Sequence, residues 1–128
     1  MSEKKIDILI VEDDTKIRKL LRLVLKKFGY ESVTEAENGK EAWEYVQENQ
    51  YDLVMTDWSM PEMDGLQLLK SIRSSERAFK DVPVIMITAF GATHNIREAA
   101  DWKVNGYVVK PFNVQTVADK IVEVIGVS

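Results

Sequence analysis

Four points along this sequence place reactive side chains at the end of a short apolar run. Glu12, Asp13 and Asp14 follow one such run, Asp57 follows another, Thr88-Ala89 closes a third, and Lys110-Pro111 follows a fourth. Carboxylates brought together repel and raise one another's pKa unless a cation sits among them. Glu12, Asp13 and Asp57 would offer such a cation only oxygen ligands. A few carboxylates completed by water suit magnesium. Lys110 would add one positive charge and Thr88 a neutral hydroxyl, with Ala89 leaving space beside it. Such a set could make a phosphorylated carboxylate. Asp57 would attack phosphorus, a metal would neutralise equatorial oxygens, and Lys110 and Thr88 would hold the rest. Pro111 permits a cis peptide that would aim Lys110 inward. Each residue also has a plain alternative: a solvated acid, a loop Lys-Pro, a structural threonine. Asp14 takes the plain reading, as the N-cap of the next helix.

These residues converge only if the fold brings the ends of the runs together. The apolar runs Ile6–Val11, Ser32–Ala36, Leu53–Thr56, Val84–Thr88 and Gly106–Val109 read as strands. Between and after them lie segments of helical period. The first carries Ile17, Leu20, Leu21, Val24, Leu25 and Phe28, and ends at Gly29. The second carries Ala42, Trp43 and Val46, the third Leu66, Leu68, Leu69 and Ile72. Ile96, Ala99 and Ala100 mark the fourth, and Val114, Val117, Ile121, Val124 and Ile125 the last. A strand–helix unit repeated five times predicts an α/β fold. Its sheet is doubly wound, five-stranded and parallel, in order 2-1-3-4-5, with helices on both faces. In such a sheet the site lies beyond the carboxyl ends of the strands, at the switch point between strands 1 and 3. That places Glu12, Asp13 and Asp57 together and leaves Glu35-Ala36-Glu37, on the outer strand, outside the site.

Composition narrows the classes. The chain has 128 residues, 17 basic and 21 acidic side chains, a net charge of −4 and no cysteine. That length reads as one domain over 1–128. Without cysteine there is no disulfide framework, thiolate zinc site or thiol nucleophile. The slight acidic excess argues against nucleic-acid binding. The opening Met-Ser-Glu-Lys-Lys-Ile-Asp has no apolar signal core, and no stretch is apolar enough to span a membrane. A cytoplasmic location and a monomer are the expectations.

The stretches that carry the chemistry also carry a resemblance. They are Ile8-Leu9-Ile10-Val11-Glu12-Asp13, Thr56-Asp57-Trp58-Ser59-Met60-Pro61 with Met63-Asp64-Gly65, Ile87-Thr88-Ala89, and Gly106-Tyr107-Val108-Val109-Lys110-Pro111-Phe112. Over essentially its whole length the chain resembles a response-regulator receiver domain of the single-domain, CheY-like kind. The resemblance implies a flavodoxin-like fold and a signalling switch with no output domain, whose only chemistry is phosphotransfer to itself and autodephosphorylation. Asp57 would be the phosphoacceptor. One Mg2+ would be bound directly by Asp13, Asp57 and the backbone carbonyl of Ser59, with Glu12 acting mostly through water. Lys110 and Thr88 would bind the phosphoryl group, and Tyr107 would be the aromatic switch that follows Thr88. The donor would be a histidine kinase or a small acyl phosphate. The face of helix 4, strand 5 and helix 5 would change shape and bind an effector, most directly a flagellar switch protein in chemotaxis. A phosphorelay or developmental regulator is the alternative output.

Several residues depart from the best-known enteric member or lie outside the motifs. Ser59 and Phe90 stand where side chains tune the phosphoryl lifetime, and Phe90, which cannot orient water, is expected to slow its loss. Gly91-Ala92-Thr93-His94-Asn95 lacks the lysines of that relative, while Lys120 matches a family position on the output face. His94 reads as a solvated surface residue. Lys16, Arg18, Lys19, Arg22, Lys26 and Lys27 read as the solvated face of helix 1, or else as a dock for an acidic partner. Leu23 falls off that helix's core face, and Trp58 would report on Asp57. Two other classes compete. A haloacid-dehalogenase-type phosphatase needs a second aspartate where Ser59 stands. A flavodoxin-like electron carrier needs a phosphate-binding first loop, where the acidic Glu12-Asp13-Asp14 stands instead.

Overall fold

The computed structural model describes residues 5–89 and 94–126. The strands are β1 (Asp7–Val11), β2 (Ser32–Ala36), β3 (Leu53–Asp57), β4 (Val84–Ala89) and β5 (Gly106–Lys110). The α-helices are α1 (Thr15–Lys27), α2 (Gly39–Glu48), α3 (Gly65–Ser74), α4 (Ile96–Asp101) and α5 (Val114–Ile125). All strands are parallel, in the order β2-β1-β3-β4-β5, so the predicted topology is the observed one. Three strands run one residue further than predicted, so Asp57, Ala89 and Lys110 are the last residues of strands rather than the first of loops. A 3-10 turn at Ala78–Asp81, which the sequence reading did not identify, precedes β4.

Period-two alternation divides the core. Ile8 and Ile10, Leu53 and Met55, Ile85 and Ile87 point to one face, where they pack with Leu21, Val24 and Leu25 of α1 and Val117 and Ile121 of α5. Leu9 and Val11, Val54, Val84 and Met86 point to the other, under α2, α3 and α4. Because helices cover both faces, the central strands are apolar throughout rather than alternating. Only the strand ends escape this demand, and there the polar residues sit.

Local chemistry starts and stops the helices. The Asp14 carboxylate accepts from the Lys16 and Ile17 amides at 2.8 and 3.2 Å, the N-cap expected of it. Asp64 and Gln67 form a reciprocal capping box at the start of α3. Gly29, at φ 90°, ends α1 where the sequence predicts. Two residues assigned to the core face of α1 are corrected. Leu20 is 47% exposed and Phe28 is 39% exposed. The sheet needs only the stripe of Leu21, Val24 and Leu25; Leu20 lies beside it and Phe28 past the last helical turn. Leu23, at 64% exposure, is off the core as expected. At the opposite end of the sheet Arg73 donates to the carbonyls of Lys80, Val82, Trp102 and Lys103 and to Asn105 Oδ1, fastening α3 to the loops around β4 and β5.

Candidate functional site

The carboxyl ends of β1, β3 and β5 meet as expected. One carboxylate oxygen each from Glu12, Asp13 and Asp57 lie within 4.8 Å of one another, with Glu12 and Asp57 buried and Asp13 exposed. Lys110 spans them: its Nζ is 2.6 Å from Glu12 Oε1 and 3.3 Å from Asp57 Oδ1. The Trp58 amide also donates to Asp57 Oδ1, at 3.0 Å. The Lys110–Pro111 peptide is cis.

Burial sets the electrostatics. Glu12 is fully buried, and desolvation pushes its pKa up to about 7; the Asp57 charge adds to this, while the bond to Lys110 works against it. Desolvation opposes the Lys110 ammonium too. Its hydrogen bond to Glu12 and the charges of Asp57 and Glu12 together outweigh that, and its pKa lies above the ordinary lysine value. One ammonium therefore serves two buried carboxylates, with a third carboxylate at the mouth. Such a trio is under-compensated and would welcome a small hard cation.

The backbone of Asp57 is packed from below. Gly65, the first residue of α3, donates its amide to the Trp58 carbonyl at 2.8 Å. A Cβ at Gly65 would lie 2.4 Å from the Asp57 carbonyl oxygen, so only glycine allows this approach. This accounts for the Asp64-Gly65 pair that follows Asp57 in sequence.

Thr88 is buried on β4, next to Ile87, the register partner of Asp57. Among the described residues no hydrogen bond joins it to Asp57 or Lys110. Ser59 lies exposed in the loop after Asp57. Tyr107 is half-buried, and its hydroxyl donates to the Ile96 carbonyl at 3.2 Å, tying β5 to the start of α4. Phe90, with Gly91, Ala92 and Thr93, lies outside the described residues. His94 is corrected: its ring stacks on Trp58, centroids 4.4 Å apart and planes 8° from parallel. An apolar neighbour that is remote in sequence cannot be read from a lone histidine.

Arg18 also departs from its expected place. It is 8% exposed, not part of a solvated face. Its Nη1 donates to the Glu12 carbonyl at 2.8 Å, and its Nε donates to Glu35 Oε1 at 3.0 Å. Arg22 holds the other Glu35 oxygen at 2.5 Å. Burial raises the Glu35 pKa, but the two arginines outweigh it and the net direction is down. The outer strand stays out of the acid trio, yet reaches it through Arg18. The i, i+4 pair Arg18/Arg22 beside an acidic strand end was the only available signal.

Residues 8–122 match the family described as the response regulator receiver domain. The chain belongs to that family. The receiver domain is 43% identical over 120 residues to chemotaxis protein CheY1 of Helicobacter pylori, covering 93% of this chain and 96% of that protein. It is 38% identical over 120 residues to a chemotaxis protein CheY homolog of Campylobacter jejuni, covering 93% of this chain and 92% of the other. Among solved structures, chemotaxis protein CheY4 of Vibrio cholerae superposes with a TM-score of 0.85 at 30% identity, covering 94% of this chain and 99% of that one. A receiver domain protein from Clostridium thermocellum gives 0.83 at 27% identity, covering 94% of each. Among the described residues of the receiver domain, no helix is long and apolar enough to cross a membrane.

Proposed function

We propose that this receiver domain accepts a phosphoryl group on Asp57 from a histidine kinase, in the presence of Mg2+, and signals by changing its α4-β5-α5 face. The observation that carries this reading is the Lys110 ammonium set between Glu12 and Asp57, at 2.6 and 3.3 Å, beside a third carboxylate. Asp13 and Asp57, with the Ser59 carbonyl, would hold Mg2+, and Glu12 would act through water. Bound there, the ion would offset charge on the equatorial phosphoryl oxygens. Glu12, buried and committed to Lys110, suits the indirect role better than the exposed Asp13.

Trp58 and Lys110 hold Asp57 Oδ1, which leaves Oδ2 as the attacking oxygen. The new P–O bond forms as the P–N bond of a phosphohistidine breaks, and the imidazole leaves with the electron pair. With an acyl phosphate, a carboxylate leaves instead. Lys110 then pairs with one phosphoryl oxygen, and Thr88 turns its hydroxyl toward another. The anhydride is lost again by attack of water, so the only turnover is self-directed. Phosphorylation adds roughly −1.5 to −2 charge. The Tyr107–Ile96 hydrogen bond is where a moved Thr88 would be felt, since it ties β5 to α4. The change is a shift between two packings that the charge biases.

The chemotaxis relatives favour a flagellar switch protein as the effector, bound by the face that carries Tyr107 and Lys120. The test is to titrate Mg2+ and then acetyl phosphate while following tryptophan fluorescence, with Asp57→Asn as control. Wild type is expected to respond to both and to carry label on Asp57. A wild type without label would end the proposal. Pull-down with a flagellar switch peptide, with and without beryllofluoride, then separates motor control from a phosphorelay.

A further inference from the structure

We propose that Arg18 is a positioning residue for the cation site: it sets the Glu12–Asp13 peptide and so aims the Asp13 carboxylate. The inference rests on the metal reading above and concerns a residue in the first turn of α1, outside the acid trio. Among the described residues, no hydrogen bond or ion pair joins Arg18 to Asp13 or Asp57. Its contact is with the carbonyl of Glu12, at 2.8 Å.

That carbonyl belongs to the peptide unit whose nitrogen is Asp13. A peptide unit is planar, so holding its oxygen fixes the plane from which the Asp13 chain departs. The preceding peptide is held as well, because the Glu12 amide donates to the Ala36 carbonyl at 3.1 Å. Both anchors trace back to β2. Ala36 is its last residue, and Glu35 grips the Arg18 Nε at 3.0 Å while Glu37 lies 3.8 Å from Nη2. The planar guanidinium suits this task, since its donors leave in fixed directions and reach a carbonyl and a carboxylate at once. Asp13 itself is exposed. Without a fixed peptide, an exposed carboxylate would spend entropy whenever a cation ordered it. Support of ligands by a fixed outer layer commonly matters ~10-fold or more in metal affinity.

Electrostatics alone would act in the opposite sense. Arg18 is a positive charge beside an anionic site, and its loss would also leave Glu35 and Glu37 less compensated. If charge were the whole story, removing it would tighten cation binding. If position matters, removal weakens binding.

The experiment measures Mg2+ affinity of the whole chain by tryptophan fluorescence in Arg18→Met, Arg18→Lys and Glu35→Gln. Ile121→Val, a core change on the buried face of α5, is the control for lost stability. Arg18→Met is expected to weaken Mg2+ by ~10-fold. Arg18→Lys should recover part of that loss, and Glu35→Gln, which loosens the anchor only, should cost ~3-fold. In metal-free protein, the backbone amide signal of Asp13, the nitrogen of the held peptide, should shift and broaden in Arg18→Met and not in the control. Affinity that is unchanged or tighter in these variants would overturn the inference, as would an equal weakening in Ile121→Val. Should Arg18→Met fail to fold, Arg18→Lys and Glu35→Gln decide by the same criterion. A wild type with no Mg2+ response would instead overturn the metal reading and this inference with it.

Discussion

Glu12 and Glu35 lie at the ends of neighbouring strands, yet they are opposite kinds of acid. Glu12 is fully buried and shares one lysine with Asp57, and its pKa rises to about 7. Glu35 is partly exposed and is paired with two arginines, and its pKa falls. The difference is one of compensation. The outer cluster is satisfied and braces the structure. The inner cluster is short of positive charge, which is the condition for attracting a cation or an anion-bearing partner through one. Arg18 joins the two, for it binds Glu35 with one edge and the Glu12 carbonyl with another.

The sharpest way to break this comparison is to remove one cation from each cluster. Lys110→Ala is expected to slow phosphoryl uptake from acetyl phosphate by ~100-fold, because the donor to the developing charge is gone. Arg22→Ala should change the same rate by less than about twofold, since an exposed pair carries little. Radiolabel uptake measures both. Similar losses in the two variants would erase the distinction.

The next effect is on stability against pH, with Mg2+ chelated. Glu12 has its folded pKa raised, so protonation favours the folded state. Its contribution is fully present below about pH 4.5 and is lost as pH rises through about 7. Glu12→Gln should therefore be more stable than wild type at pH 8, by about 1–3 kcal/mol, and this gain should disappear by pH 4.5. Denaturant unfolding across that range checks it.

Glu35 should show the reverse slope. Its folded pKa is lowered, so its contribution is present above the ordinary carboxylate pKa and is lost as pH falls through the folded value. Glu35→Gln is expected to cost about 1 kcal/mol at pH 7 and nothing in strong acid. Parallel slopes for the two variants would show that the clusters do not differ as described.

The smallest effect is expected at Trp58, which adjoins Asp57 and stacks on His94. His94→Ala should alter the emission of Trp58 while Mg2+ affinity stays within about twofold. A larger loss of affinity would make His94 part of the inner cluster.

Most of the architecture was legible in the residues. Alternating apolar runs and helical stripes predicted the strand order, and the strand-end rule brought Glu12, Asp13, Asp57, Thr88 and Lys110 to one edge. The failures share a cause. Leu20 and Phe28 have the type and spacing of core residues, but the stripe that the sheet can cover is narrower than the apolar set. Arg18 and His94 look like surface residues in one dimension. One is buried by a carbonyl and a glutamate from other elements, the other is partly covered by an indole ring.

By itself, the sequence determined the fold class and which side chains could do chemistry, because both follow from periodicity and from what each strand runs into. Only the tertiary structure decided how those groups are compensated. Whether a carboxylate meets one lysine or two arginines depends on contacts between residues far apart in the chain. The Lys110–Glu12 pair spans 98 positions and the Arg18–Glu35 pair 17. Local pattern carries no record of such distances, and compensation is what separates the bracing cluster from the responsive one.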